Sequence, residues 1–84
     1  MRKEVPVLEW NELTEREQAV IARVAAGMTN RQIAEDMQLG VWTVKQHVSS
    51  ALAKLGARNR TQAAVMALDA NDPLVRDVVA GLRR

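Results

Sequence analysis

The stretch TVKQHVSSALAKLGARNRTQA, residues Thr43 to Ala63, decides the fold because it joins an amphipathic helix to a basic charge pattern. Apolar residues recur at helical spacing and predict a stripe for the protein's own core: Val44, Val48, Leu52 and Leu55. The opposite side carries small or polar residues and no acidic one: Lys45, Gln46, Ser49, Ser50 and Ala53. This helix therefore has one side for a core and another that could approach a polyanion.

The basic charge is local. Between Val41 and Arg60 the chain has four basic residues and no acidic ones: Lys45, Lys54, Arg58 and Arg60. The first forty residues carry five basic and seven acidic side chains, residues 61 to 84 carry three of each, and the whole chain has a net charge of +2. Because local potential attracts phosphate more than net charge does, the segment favours nucleic acid. A solvated polar helix face is the alternative interpretation.

The composition suits one small domain. The chain has 84 residues, 48% of them hydrophobic, and its only aromatic residues are two tryptophans, which favours closely packed helices over a sheet. It has no cysteine and one histidine, His47, so we predict no metal site, no cofactor and no enzymatic activity. The N-terminal segment MRKEVPVLEW lacks a sustained apolar run. We therefore expect no signal peptide, no membrane span and a cytoplasmic location.

Two predicted helix starts share a local signature, in which a threonine precedes a Glu or Gln by three residues. Thr14 with Glu17, and Thr29 with Gln32, can each form reciprocal hydrogen bonds with the backbone of the first helical turn. The signature therefore predicts a first helix after Thr14 and a short second helix after Thr29.

Glycines bound the third helix, which we predict from about 41 to 55. Gly40 is its predicted N-cap, and Gly56 stands where a left-handed residue ends a helix. A fourth helix is predicted from about 60 to 69, with three residues on its buried side: Ala64, Val65 and Leu68.

The chain divides into three predicted parts. Residues 1 to 12 form an N-terminal arm, residues 13 to 70 form the domain, and residues 71 to 84 form a C-terminal helix or tail. The arm is expected to be poorly ordered except where Val7, Leu8 or Trp10 packs on the domain. Asn71-Asp72-Pro73 interrupts the fourth helix, and an apolar stripe follows from Leu74 to Leu82.

A short helix, a tight turn and a longer helix with a polar outer face form a helix-turn-helix. Four motifs occur in order along the chain: LTEREQAV (13 to 20), GMTNRQIAEDM (27 to 37), TVKQHV (43 to 48) and KLGARNRTQA (54 to 63). Together they resemble the GerE-like DNA-binding domain of LuxR-type transcriptional regulators. The resemblance implies an all-α, four-helix domain, here with a short extra C-terminal helix, that binds double-stranded DNA sequence-specifically in transcription regulation.

The resemblance also implies roles for individual side chains. Those expected to read bases are Lys45, Gln46 and Ser49. Their chemistry suits the role, because lysine donates to guanine O6 or N7 and glutamine pairs with adenine. Those expected near the DNA backbone are Thr29, Asn30, Arg31, Thr43, His47, Ser50, Lys54 and Arg58. Glu17 and Arg60 are expected to form an internal ion pair between the first and fourth helices.

Three features depart from the family pattern. Gly40 replaces a serine that usually caps the recognition helix, which removes one hydroxyl. Val41 and Trp42 occupy positions that are usually polar. The stripe from Leu74 to Leu82 extends beyond the usual four helices and, if exposed, would suit a dimer or another partner.

We expect a homodimer that DNA strengthens, acting at the bacterial nucleoid, with RNA polymerase or a regulator as a further partner. The residues expected at a dimer or partner contact are Trp42, Ala63, Met66, Ala67, Leu74 and Val78. The alternative for the C-terminal stripe is that it folds back over the domain's own core.

Two other functions share this pattern. A sigma-factor DNA-reading domain has similar paired helices and a similar TVK start, although KLGARNRTQA fits LuxR-type regulators better. A helical adapter or anti-regulator could instead keep the fold and act through a protein partner. Trp42 and the C-terminal stripe are the best support for that alternative.

Overall fold

The computed structural model describes residues 7 to 82, and those residues form five α-helices and no strand. After a short 3-10 helix at Trp10–Glu12, the helices are α1 (Glu15–Ala25), α2 (Asn30–Met37), α3 (Val41–Leu55), α4 (Arg60–Asp69) and α5 (Pro73–Leu82). The predicted all-α class and the extra C-terminal helix are confirmed. Residues 1 to 6 of the predicted arm and residues 83 and 84 of the predicted tail lie outside the described residues. Within the described range, no helix is long and apolar enough to cross a membrane.

The starts of α1 and α2 have the predicted capping geometry. Thr14 Oγ1 accepts from the Glu17 N–H at 3.1 Å, and Glu17 Oε1 accepts from the Thr14 N–H at 2.9 Å. Thr29 and Gln32 form the same two bonds at the start of α2. Each pair satisfies two backbone donors that a helix start leaves without partners.

A tight turn joins α2 to α3. Gln38 has a left-handed backbone with φ 56°, and the Leu39 N–H donates to the Ala34 carbonyl at 2.8 Å. At the far end of α3, Gly56 has the predicted left-handed conformation with φ 67°. A side chain at Gly56 would also crowd Val7, because an added Cβ would lie 3.1 Å from Val7 Cγ2.

Helix α1 lies at the centre of the molecule and packs against the other four helices. Its residues Val20, Ile21 and Ala22 have no exposed surface. The inner side of α3 supplies four buried residues: Val44, Val48, Ala51 and Leu55. The predicted stripe of α3 is therefore its core face, although Leu52 is only half-buried.

The core extends into the residues predicted as an arm. Trp10 is only 7% exposed and belongs to the core. Its carbonyl accepts from Gln18 Nε2 at 3.0 Å, and the Leu8 N–H donates to the Lys54 carbonyl at 2.7 Å. These bonds hold the segment before α1 against α1 and the end of α3.

Helix α5 folds back onto α1. It begins after Asp72, whose Oδ1 accepts from the Leu74 N–H at 2.8 Å, and it buries Val75 in the core. Leu74, Val78 and Val79 are partly buried against the same core. Of the two interpretations of the C-terminal stripe, the structure supports the one in which it covers the domain itself; the side chain of Leu82 lies outside the described residues.

The predicted buried face of α4 is wrong. Ala63 and Ala67 are fully buried, Ala64 is half-buried, and Val65 and Leu68 are each 52% exposed. The two alanines have little side chain between the helix axes, so the α4 backbone can approach α1 closely. Apolar residues occur on all sides of α4, and their spacing alone therefore could not identify the face that packs.

Candidate nucleic-acid interface

The outer face of α3 is polar and exposed. Lys45, Gln46 and Ser49, the predicted base-reading residues, are all exposed, and they lie opposite the fully buried Val44. Their spacing places them on adjacent turns of one face. The structure therefore brings these three side chains together on a surface that nothing in the described residues covers.

The first turn of α3 differs from the starts of the helices on either side. Side chains of Thr29 and Asn59 cap α2 and α4, whereas α3 begins at Gly40, which has no side chain to accept its first N–H groups. Free N–H groups at a helix start, together with the helix dipole, favour an anion. This end of α3 is thus open to a phosphate as well as to water.

Four of the predicted backbone contacts remain exposed or half-exposed on α3 or near it. Arg31 is exposed, and its ion pair with Glu35 is loose, with Nε 3.8 Å from Oε1. Thr43 and His47 are half-buried on α3. Arg58 is also exposed, just before α4.

Other predicted backbone contacts have partners within the domain. Lys54 Nζ donates to both carboxylate oxygens of Glu17 at 2.9 Å, and Ser50 Oγ donates to Glu17 Oε2 at 2.5 Å. The Thr29 hydroxyl caps α2, and Asn30 Oδ1 accepts from Arg60. These side chains connect helices and are therefore less available to a ligand than the outer face of α3.

The carboxylate of Glu17 is the centre of a buried charged cluster with Ser50 and Lys54. Glu17 is 3% exposed. Burial by itself raises the pKa of Glu17, but hydrogen bonds from Ser50, Lys54 and the Thr14 N–H, with the charge of Lys54, outweigh it and lower the pKa to about 2. The carboxylate therefore stays ionised and ties α1 to α3.

The predicted ion pair between Glu17 and Arg60 is wrong. Arg60 donates through Nη1 to Asn30 Oδ1 at 2.7 Å and through Nη2 to the Met28 carbonyl at 3.0 Å. It therefore links α4 to the start of α2, while Lys54 takes the position beside Glu17. Sequence reasoning missed this because Ser50 and Lys54 were assigned to DNA; their i, i+4 spacing already allowed both to face one carboxylate.

The predicted dimer contacts fall into three groups. Ala63 and Ala67 are buried against α1 and cannot lie at a dimer seam while α4 packs as it does, which corrects that prediction. Leu74 and Val78 are partly buried against the core. Met66 is 37% exposed and Trp42 is 71% exposed, so both are accessible.

The sequence matches the family described as bacterial regulatory proteins, luxR family, over residues 11–67. It is 47% identical over 57 residues to the transcriptional regulatory protein LnrK of Bacillus subtilis (strain 168), covering 68% of this chain and 26% of LnrK. It is 49% identical over 57 residues to the DNA-binding transcriptional activator DevR/DosR of Mycobacterium tuberculosis, covering 68% of this chain and 26% of that protein.

A third relative matches over a longer part of the chain. The chain is 39% identical over 71 residues to the response regulator protein VraR of Staphylococcus aureus, which covers 84% of this chain and 33% of VraR. The chain therefore spans about a quarter to a third of the length of these relatives. Since the family match covers most of the chain and includes the helix-turn-helix, this protein belongs to the luxR family of bacterial regulatory proteins.

Proposed function

We propose that this domain binds double-stranded DNA sequence-specifically in transcription regulation, with α3 in the major groove. The observation that carries the proposal is the exposed outer face of α3, where Lys45, Gln46 and Ser49 lie in a segment without acidic residues. Helix-turn-helix proteins contact base edges with the N-terminal part of their second helix, which is the part that carries these residues. We propose the bacterial nucleoid, in the cytoplasm, as the place where the domain acts.

The side chains divide by chemistry. Lys45 donates to guanine O6 or N7, Gln46 pairs bidentately with adenine, and Ser49 bonds with either type of base edge. Phosphates are contacted by the uncapped start of α3 and by four side chains beside it: Arg31, Thr43, His47 and Arg58. Lys54 and Ser50 act indirectly, because they hold α3 against Glu17.

A mobility-shift measurement on a randomised duplex pool tests the DNA function. We expect a shift whose affinity falls steeply with salt, with a log-log slope of roughly −0.9 per phosphate neutralised. Lys45→Ala should cost about 1 to 3 kcal/mol on a selected duplex and less on random DNA. Arg76→Ala, which removes a basic side chain exposed on α5 and away from α3, is the control for nonspecific charge effects. Absence of a shift at any salt would favour the adapter alternative.

We also propose that two copies associate through the exposed face of α4. Val65 and Leu68 are half-exposed, and with the exposed Thr61 they follow i, i+4, i+7 spacing along one side of the helix. Apolar side chains of this size on a free face favour a self-complementary contact. A symmetric dimer would read two half-sites about one helical turn, roughly 34 to 36 Å, apart.

Sedimentation with a two-site duplex tests the dimer. Val65→Arg should leave the domain folded but reduce the stoichiometry on the duplex from two copies to one, because it places a charge on both sides of the seam. Ala70→Arg, at the exposed C-cap of α4 and turned from that side, is the matched control. Two copies bound by the Val65→Arg protein would exclude this face as the seam.

A further inference from the structure

We propose that Trp42 reads the C5-methyl group of a thymine in the major groove and so sets part of the base preference. The proposal rests on the DNA function proposed above. It adds an apolar contact to the polar ones of Lys45, Gln46 and Ser49.

The position of Trp42 on α3 is the first support. Trp42 precedes Lys45, Gln46 and Ser49 by three, four and seven residues, and at about 100° per residue it lies within about 20° of Ser49 around the helix axis. All four side chains are exposed. A ligand that covers the three polar side chains therefore also covers Trp42.

The exposure of Trp42 is the second support. The other tryptophan, Trp10, is 7% exposed in the core, whereas Trp42 is 71% exposed and its neighbour Val41 is 39% exposed. The indole is therefore not part of the core, and exposure of so large an apolar surface to water is unfavourable in free energy. Contact with a partner would remove that surface from water.

The surroundings of Trp42 favour DNA as that partner. The closest charged residue along α3 is Lys45, and no acidic residue occurs between Val41 and Arg60. Trp42 is the second residue of α3, within the N-terminal part that contacts base edges in helix-turn-helix proteins. In the major groove, the thymine methyl is the one apolar group that a base edge presents, and apolar side chains recognise it.

Removal of single methyl groups from the DNA tests the proposal. A duplex selected by the wild-type protein is resynthesised with each thymine replaced in turn by uracil, which removes the methyl and keeps every hydrogen-bonding group. At one position in each half-site, wild-type affinity should fall about threefold to fivefold, the effect of leaving one methyl group in water. Trp42→Ala should bind the thymine and uracil duplexes equally at that position.

Two further variants separate base reading from general affinity. Trp42→Lys should keep or increase affinity for random DNA, because it adds a charge, while losing the thymine-over-uracil preference. Val41→Ala, which shortens the neighbouring exposed apolar side chain, should keep that preference. Circular dichroism should give the same melting temperature for Trp42→Ala and wild type.

Three results would overturn the assignment. The first is that the thymine-to-uracil changes affect the affinity of wild type and Trp42→Ala alike. The second is that the thymine-over-uracil preference is lost in Val41→Ala but kept in Trp42→Ala. The third is a melting temperature of Trp42→Ala far below that of wild type. A wild-type protein that binds no unmodified duplex would instead refute the DNA function itself, and with it this proposal. The two failures are therefore distinguishable.

Discussion

Helices α3 and α4 present side chains of different size to the core. α3 buries Val44 and Leu55 and exposes mainly polar residues beside Trp42. α4 buries only alanines and exposes the larger Val65 and Leu68. The inner face of α3 fills volume, while the inner face of α4 permits close approach to α1. The outer faces also differ. The outer face of α3 suits a polar, charged ligand, and the outer face of α4 suits a second apolar surface.

The two helices are also held to the rest of the fold by different interactions. α3 is tied to α1 through the buried carboxylate of Glu17 with Ser50 and Lys54. α4 depends on the packing of its alanines and on the guanidinium of Arg60 at the start of α2. Substitutions at these points should therefore affect stability by different amounts and in different ways.

The largest effect is expected for Glu17→Gln, which removes the charge that Lys54 and Ser50 surround. The pKa of Glu17 falls from 4.5 to about 2 on folding. That difference corresponds to roughly 3 kcal/mol of stability at pH 7. Urea unfolding measures it, with the exposed Glu15→Gln as control, for which we expect a change within about 0.5 kcal/mol. Equal effects of the two variants would contradict the role of the cluster.

The pH dependence has a definite sign. Because the folded pKa of Glu17, about 2, is below the unfolded value of 4.5, its contribution is fully present above about pH 4.5 and is lost as the pH falls toward 2. The stability gap between wild type and Glu17→Gln should therefore narrow on acidification through that window. A gap that stays constant down to pH 3 would show that the carboxylate charge is not its source.

Overpacking at the α1–α4 contact should have the next largest effect. Ala67→Leu adds a branched side chain where the helix is fully buried, and we expect a loss of about 1 to 3 kcal/mol in unfolding free energy. Ala53→Leu makes the same change on the exposed outer side of α3 and should alter stability by less than about 0.5 kcal/mol. If Ala67→Leu were as stable as Ala53→Leu, close approach of α4 to α1 would not be the basis of that contact.

Removal of the Arg60 link should cost somewhat less, because the guanidinium is only half-buried. Arg60→Ala is expected to lower stability by about 1 to 2 kcal/mol through loss of the bonds to Asn30 and the Met28 carbonyl. Arg58→Ala, at an exposed neighbouring position, is the control. The losses of unfolding free energy should be additive in the Glu17→Gln/Arg60→Ala double variant, as measured by thermal unfolding. Strongly non-additive losses would be evidence that Glu17 and Arg60 form an ion pair after all.

The smallest effect is expected at the start of α3. Gly40→Ser supplies the capping hydroxyl that α1 and α2 already have, at a position where an added Cβ meets only Thr43 Oγ1 at 3.9 Å. Stability should rise by a few tenths of a kcal/mol. Gly56→Ser is the contrasting change, and its left-handed backbone should make it destabilising by about 1 kcal/mol. A loss of stability in Gly40→Ser would show that the start of α3 does not accept a side-chain cap.

Local patterns were sufficient where one element determines its own structure. Hydrogen bonds and backbone angles within a few residues determine three such features: the capping pairs Thr14–Glu17 and Thr29–Gln32, the ends of α3 and the start of α5 at Pro73. The exposure of Lys45, Gln46 and Ser49 was likewise predictable, because the large aliphatic residues of α3 occupy a single face.

Contacts between distant elements could not be predicted in the same way. The partner of Glu17 is Lys54 instead of Arg60, and α4 turns Val65 outward. Of the three apolar arm residues, Trp10 enters the core, while Leu8 is half-buried and Val7 is exposed. Each outcome depends on how closely two helices approach and at what angle, which residue spacing within one helix does not specify.

The sequence by itself therefore determined the helices, their caps and the polar face of α3, because each follows from interactions over one or two helical turns. Only the tertiary structure decided which face of α4 is buried, which basic side chain lies beside Glu17, and that α5 packs on α1. Those features depend on how all the helices pack around one small core. On α4, alanines face α1 because they allow close packing, whereas larger residues there would hold the two helices apart.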